Sequence, residues 1–145
     1  MTIPQLSLFL ENKPGHLNAI CRTLAEAQIN IVTLSMADTD QFGILRLIIS
    51  EWEKAQKVLV EKGFVVNVSN VVATEVEDRP GGMAEILDVL ESNSINIEYM
   101  YAFTFRRGNS AVLVFRFDDT DKAVAALQAA GKNVIGQVEL FEGID

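Results

Sequence analysis

The stretch Asn12-Lys13-Pro14-Gly15-His16-Leu17 recurs, 66 residues later, as the related stretch Asp78-Arg79-Pro80-Gly81-Gly82-Met83. The same offset aligns Ile29-Asn30-Ile31 with Ile95-Asn96-Ile97. Further along the chain the offset becomes 68, which a length difference in one hairpin turn explains. Similarity at a fixed spacing indicates a duplicated structural unit, so the two copies are interpreted together.

The first copy has the hydrophobic pattern of a β-α-β-β-α-β unit. Leucines alternate with other residues over Gln5 to Glu11, which is typical of a half-buried strand. Apolar residues then recur at helical spacing from Leu17 to Ala25, which predicts a helix. The remaining predicted elements are a hairpin of strands at 29–37 and 44–50 with a polar turn at 38–41, a helix at 51–62 and a strand at 64–68.

The second copy repeats this order. Its predicted strands lie near 71–76, 95–105, 111–117 and 133–141, its helices at 81–91 and 120–130, and its hairpin turn at 106–109. The sequence therefore predicts an α+β fold of two ferredoxin-like units in tandem, each an antiparallel sheet with its helices on one face. We assign residues 1–69 to the first domain and 70–145 to the second. The short connector Ser69-Asn70 predicts closely coupled domains.

Composition excludes several functional classes. The chain has 145 residues, with 12 Lys and Arg against 20 Asp and Glu, and it lacks the basic patch of a nucleic-acid-binding protein. One cysteine, Cys21, and one histidine, His16, are too few for a zinc site or a disulfide framework. No segment has the roughly eighteen consecutive apolar residues of a membrane span, and none resembles a signal peptide. We expect a cytoplasmic protein that binds neither nucleic acid nor membranes.

Motifs of the common enzyme classes are missing from the sequence. It contains no P-loop, no dinucleotide-binding Gly-rich loop and no Gly-x-Ser-x-Gly elbow. A ferredoxin-like phosphatase, which would hold phosphate with a basic residue such as Lys13 or Arg79, is a weak alternative because fold does not imply function. We expect a protein that is not an enzyme and that uses no cofactor or metal.

The Pro-Gly loops between strand one and helix one are the most informative positions of each copy. Pro14 and Pro80 are expected to fix φ at a helix start, and Gly15 and Gly81 to allow close approach of a ligand. The N–H groups of such a helix N-terminus favour a carboxylate or phosphate. A plain strand-to-helix turn is the alternative interpretation.

An asparagine follows each loop proline by 16 residues, Asn30 in the first copy and Asn96 in the second. Its amide offers both a donor and an acceptor, which suits a zwitterion with a carboxylate and an ammonium group. Alternatively, asparagine tolerates the left-handed conformation that ends a helix.

With these motifs the sequence resembles the ACT family, small regulatory ligand-binding domains attached to enzymes of amino-acid biosynthesis. The serine-sensing member carries Asn-x-Pro-Gly-x-Leu at the start of helix one and an Asn before strand two. The residues of the first copy that match this motif are Asn12, Pro14, Gly15, Leu17 and Asn30. The second copy agrees at Pro80, Gly81 and Asn96 and departs from the motif at Asp78 and Met83.

The resemblance implies that a free amino acid binds at the seam between two ACT units, where the loop of one unit faces the second strand of its neighbour. Residues 12–17 would then face Asn96, and residues 78–83 would face Asn30. We favour the first loop because its match is closer and it carries no acidic side chain. The implied ligand-binding residues are Asn12, Lys13, Pro14, Gly15, His16, Leu17, Asn30, Asp78, Arg79, Pro80, Gly81, Gly82, Met83, Asn96 and Ile97.

The expected function is that of a stand-alone tandem ACT protein that binds an amino acid and reports it to a partner enzyme or regulator. We expect a homodimer in which the exposed strand edges are buried at the interface. The alternative is a ligand-free interaction module that acts through strand-edge pairing.

Overall fold

A computed structural model describes residues 1–38 and 41–142 of the chain. Thr39 and Asp40, which belong to the first predicted hairpin turn, and residues 143–145 of the predicted second domain lie outside the described residues. The chain divides into two compact units. The first unit comprises residues 4–69, and the second combines residues 1–3 with residues 70–142.

The elements of the first unit follow the predicted order. They are β1 (Ile3–Glu11), α1 (His16–Glu26), β2 (Thr33–Asp38), β3 (Phe42–Ile48), α2 (Trp52–Glu61) and the beginning of β4 (Val66–Glu77). The strand order is β2-β3-β1-β4. In the antiparallel pair of β1 and β3, Leu8 lies opposite Leu45.

The core of the first unit explains why these segments form these elements. Leu6, Leu8 and Leu10 alternate along β1 and are buried on one face. They pack against the buried residues of both helices, Ile20, Leu24, Ala55 and Leu59. Because both helices share this cluster, they cover the same face of the sheet, as predicted. Each fully buried leucine contributes about 1.5–3 kcal/mol of apolar burial.

The second unit repeats the arrangement. It contains the end of β4, α3 (Gly82–Ser92), β5 (Ile97–Ala102), β6 (Ser110–Phe117), α4 (Thr120–Ala129), β7 (Val134–Ile135) and α5 (Gln137–Phe141). The order of its strands is β5-β6-β4-β7. Its core joins apolar residues of β4 and β6 to Ile86 and Leu90 of α3 and to Ala123 and Leu127 of α4.

Several strand predictions are wrong in detail. The strand predicted at 29–37 begins only at Thr33, and the strand predicted at 95–105 ends at Ala102. The strands predicted at 64–68 and 71–76 are one continuous strand, β4, because no glycine or proline interrupts the extended backbone between them. The strand predicted at 133–141 is only the two-residue β7, after which Gly136 caps the short helix α5. The second hairpin turn is confirmed, since Arg107 and Ser110 exchange backbone hydrogen bonds of 3.1 and 3.0 Å.

Among the described residues, no helix combines the length and the apolar character needed to cross a membrane.

Candidate functional site

The two Pro-Gly loops share an unusual backbone conformation. Gly15 is the N-cap of α1 with φ of 94°, and Gly81 is the N-cap of α3 with φ of 88°. These left-handed values cost about 1–2 kcal/mol for a residue with a Cβ atom, so glycine is favoured at both positions. Pro14 and Pro80 each lie one residue before the N-cap, and the prediction that they open the helices is therefore wrong.

Each loop leads into a helix N-terminus without a side-chain cap. Neither Gly15 nor Gly81 can supply a capping side chain, and no side-chain hydrogen bond caps either helix. The first turn of α1 contains no acidic residue, whereas the first turn of α3 contains Glu85. The N–H groups of His16 and Gly82 donate to the carbonyl oxygens of Lys13 and Arg79, and the helix dipole favours an anion at such an end. The first turn of α1 is therefore the less acidic of the two.

The loops differ where His16 of the first unit corresponds to Gly82 of the second. The Glu11 N–H donates to His16 Nδ1 at 3.2 Å, which fixes the ring against the end of β1. At Gly82 a Cβ atom would lie 2.2 Å from the carbonyl oxygen of Glu77. Gly82 therefore allows the close packing of α3 against β4, and its predicted contact with a ligand stays a prediction.

The second loop carries ion pairs around Arg79. Its guanidinium bonds to the carboxylate of Glu77 and, at 2.6 Å, to that of Glu85. Lys132 Nζ lies 3.1 Å from the other oxygen of Glu85. Hydrogen bonds to Glu77 and then Glu85 raise the pKa of Arg79, and those from Arg79 and then Lys132 lower the pKa of Glu85. These pairs favour the folded state above the unfolded pKa of Glu85, and that effect is lost as the pH falls through its folded pKa.

Asp78 is also paired, because Arg106 of the β5–β6 hairpin donates to its carboxylate. Both side chains are more than half exposed, so solvent screens the pair.

In the first loop, Lys13 Nζ lies 3.1 Å from the carboxylate of Glu11 and lowers the pKa of Glu11, mainly through that hydrogen bond. Asn12 is fixed by its N–H, which donates to the carbonyl of Gln41 at 2.9 Å.

A cavity of about 370 Å³ lies beside the second loop. It brings together three of the predicted residues, Asp78, Arg79 and Met83. Its apolar lining comes from Val76, Met100, Ala111 and Leu113. The sequence interpretation missed Met100, although the alternation along β5 places it on the face opposite the half-buried Tyr99 and Tyr101. The polar loop and these strand residues together give a site with a charged rim and an apolar floor.

Asn30 and Asn96 are exposed and lie two residues beyond the left-handed positions that end the helices. Among the described residues, the non-glycine residues with positive φ are Gln28 at 57° and Ser94 at 54°. The alternative that these asparagines serve a left-handed conformation is therefore wrong. Asn96 is fixed through its backbone, which exchanges hydrogen bonds of 3.1 and 3.2 Å with Asp118.

Two further predicted residues also pack inside their own units. Leu17 is partly buried against the core of the first unit, and Ile97 is partly buried against the core of the second. Such contacts position the loop and the strand. Sequence reasoning alone does not separate these structural roles from ligand contact.

Comparison with known proteins decides the family. A family model described as an ACT domain pair matches residues 1–142. The chain belongs to the ACT domain family. The resemblance inferred from the Pro-Gly motifs is thus confirmed, and the two β-α-β-β-α-β units are its ACT domains.

Solved structures support the same fold for this ACT pair. Protein BT0572 from Bacteroides thetaiotaomicron is 37% identical, with a TM-score of 0.90 over 98% of this chain and 97% of that one. The ligand-free regulatory subunit of aspartate kinase from Thermus thermophilus is 18% identical, with a TM-score of 0.62 over 88% of this chain and 90% of that one. The similarity to the aspartate kinase subunit shows a shared fold and nothing more. A search of curated proteins found no match to the ACT pair.

Proposed function

We propose that this ACT pair is a regulatory sensor that binds a free amino acid at its Pro-Gly loops and performs no catalysis. The observation that carries the proposal is the duplicated N-cap glycine, with φ of 94° and 88°, in two exposed loops that each open a helix. One protein with this fold is named as a regulatory subunit, that of aspartate kinase.

The chemistry of the loops suits a zwitterion. A ligand carboxylate is favoured at the N-termini of α1 and α3 by the helix dipoles and by the N–H groups of the first turn that follow His16 and Gly82, whose own N–H groups already donate to the carbonyl oxygens of Lys13 and Arg79. A ligand ammonium group finds an amide oxygen at Asn12 in the first loop and a carboxylate at Asp78 in the second. The 370 Å³ cavity beside Asp78 falls within the size range of small-molecule sites and offers apolar contacts to a side chain.

The finer location of the ligand, at a seam between two ACT units, is also part of the proposal. It rests on the family resemblance, which opposes residues 12–17 to Asn96 and residues 78–83 to Asn30. Binding would then stabilise one arrangement of the units over others, and a partner enzyme or regulator could sense that difference.

A thermal-shift screen against the twenty amino acids tests the sensor proposal. One amino acid should raise the midpoint in a concentration-dependent way, since a ligand at a hundredfold excess over Kd stabilises a protein by about 2.7 kcal/mol. Gly15→Val and Gly81→Val should reduce or abolish this shift, because valine disfavours the left-handed conformation.

The matched control is Gly63→Val, at the end of α2. Gly63 has φ of 92°, and a Cβ atom added there, as at Gly15, would meet no heavy atom within 4 Å other than those of its chain neighbours. This variant should lose similar stability but keep the ligand-induced shift. If no amino acid raises the midpoint, or if both loop variants respond as the wild type does, the sensor proposal fails.

A ligand-free module that pairs strand edges is the second candidate. β2 and β5 stand at the ends of the strand orders, and Leu34 and Met36 of β2 and Met100 of β5 are exposed there. Exposed edges with apolar side chains favour pairing with another chain, including a second copy. A homodimer formed in this way should survive Gly15→Val, whereas an amino-acid site should not.

A further inference from the structure

We infer that α5 is a strap that opens locally while the rest of the second unit stays folded, and that the β5–β6 hairpin links its opening to the second Pro-Gly loop. The hairpin comprises residues 103–109, between β5 and β6. Two consecutive residues of this hairpin, Arg106 and Arg107, make the link. The use of the strap as the output of amino-acid binding rests on the proposed sensor function, whereas the link itself does not.

The helix α5 is held in place by contacts outside itself. It has five residues and no side-chain cap, and a helix of that length does not form alone in water. It follows β7, the last strand of the β-α-β-β-α-β order, and the first unit has no counterpart because its last strand continues as β4. One side of α5 is free, since Val138 is 88% exposed, whereas Leu140 is 2% exposed. Local opening of such a terminal segment costs less free energy than unfolding of the whole unit.

Arg107 is the polar anchor of α5. Its Nε donates to Glu75 Oε1 of β4 at 2.9 Å, and its Nη2 donates to Glu139 Oε1 of α5 at 2.8 Å. Its Nη1 also donates to the carbonyl oxygen of Glu139 at 3.2 Å. The three side chains are more than half buried, so these charge-assisted bonds are screened less than surface ion pairs. The position of α5 therefore depends on where the hairpin places Arg107.

The preceding residue of the hairpin binds the second Pro-Gly loop. Arg106 donates to the carboxylate of Asp78, on the loop, while Arg107 bonds to β4 and α5. Phe103 is buried at the base of the hairpin, and the backbone bonds between Arg107 and Ser110 close its turn. Because the two arginines share a planar peptide bond within this closed turn, a displacement of Arg106 also displaces Arg107.

The first unit connects its loop and its hairpin differently. The Asn12 N–H donates to the carbonyl oxygen of Gln41 at 2.9 Å, so that contact is made by the backbone. The turn at 38–41 contains no arginine. The fold therefore does not require paired arginines in this hairpin, and they occur in the unit that carries α5.

A ligand at the second loop would act on this link at Asp78. The ammonium group that the proposed function places at Asp78 competes with the guanidinium group of Arg106 for the same carboxylate. Release of Arg106 frees the tip of the hairpin and weakens the hold of Arg107 on α5. An open strap exposes Leu140 and the apolar place that it leaves, which together form a surface for a partner enzyme or regulator.

Amide hydrogen exchange followed by NMR tests the inference on the protein without any amino acid, so its failure is distinguishable from failure of the sensor proposal. The reporter is the Leu140 amide, which donates to the carbonyl oxygen of Gly136 at 2.9 Å. Arg107→Gln should raise the exchange rate of this amide about tenfold or more, because hydrogen bonds to charged groups are lost. Asp78→Asn should raise it about twofold to fivefold, because the exposed pair with Arg106 contributes less. In the Arg107→Gln background, Asp78→Asn should have no further effect.

Asp88→Asn is the matched control, since Asp88 is an exposed carboxylate on α3 and the substitution changes the net charge by the same amount. It should leave the exchange rate of Leu140 unchanged. The β6 amides, which report unfolding of the whole unit, should exchange more slowly than Leu140 in the wild type. The inference is overturned if Leu140 exchanges no faster than the β6 amides, or if Arg107→Gln leaves its rate unchanged. It is also overturned if Asp78→Asn acts no more strongly than Asp88→Asn, or acts equally in the Arg107→Gln background.

Discussion

Replacing Gly82 with alanine is expected to lower the free energy of unfolding by about 3 kcal/mol. The added Cβ atom would lie 2.2 Å from the carbonyl oxygen of Glu77 and 3.3 Å from its carbonyl carbon. Both atoms belong to the backbone at the end of β4, so no side-chain rotation relieves the overlap. The start of α3 has to move away from the strand, which also displaces the second Pro-Gly loop.

Gly136→Ala provides the matched control in the same unit. Gly136 has φ of −80°, and a Cβ atom there meets no heavy atom within 4 Å. This variant should change the free energy of unfolding by no more than about 0.5 kcal/mol. Urea unfolding followed by circular dichroism measures both variants. Equal stabilities for the two would show that α3 does not approach Glu77 as closely as described.

Ile86→Ala should cost a comparable amount, about 3 kcal/mol, because it leaves a cavity in the core of the second unit. Ile86 is 1% exposed and packs with the core residues of α4 and β6. It is also the contact that holds α3 against the sheet one turn after the loop. The same urea experiment should therefore show a lower midpoint with an unchanged dependence on denaturant.

The neighbouring Leu87→Ala is the control for this prediction. Leu87 is 40% exposed, so its truncation should cost less than about 1 kcal/mol. The two substitutions share the helix, the new residue and nearly the same change in volume. A loss at Leu87 as large as that at Ile86 would contradict the assigned orientation of α3.

Most of the fold could be predicted because two separate hydrophobic patterns, one in the strands and one in the helices, identify the same buried face of a unit. The alternation of Leu6, Leu8 and Leu10 and the helical spacing of Ile20 and Leu24 point to the same buried face. The end of the chain could not be predicted in this way. Residues 133–141 form a short apolar segment, for which periodicity does not distinguish a strand from a helix. In the structure most of this segment is the helix α5, which buries Leu140.

The candidate site could be predicted only where local sequence determines it. The Pro-Gly motif locates the loops but not the left-handed N-cap glycines, because it was interpreted with the prolines at the helix starts. Asp78, Arg79 and Met83 do line one cavity. The contribution of Met100 depends on the register of β5 with β6, which the motif does not contain. The structural role of Gly82 likewise depends on a tertiary contact, the close approach of the start of α3 to the backbone of Glu77.

The most direct test of the central claim is an amide NMR spectrum of the protein with each of the twenty amino acids in turn. The account predicts that at least one amino acid shifts the loop amides, at residues 15–17 or 81–83, in a saturable way. Shifts at Asn30 or Asn96 in the same titration would support the proposed seam. A complete panel that leaves both Pro-Gly loops unperturbed would contradict the claim that this ACT pair senses an amino acid there.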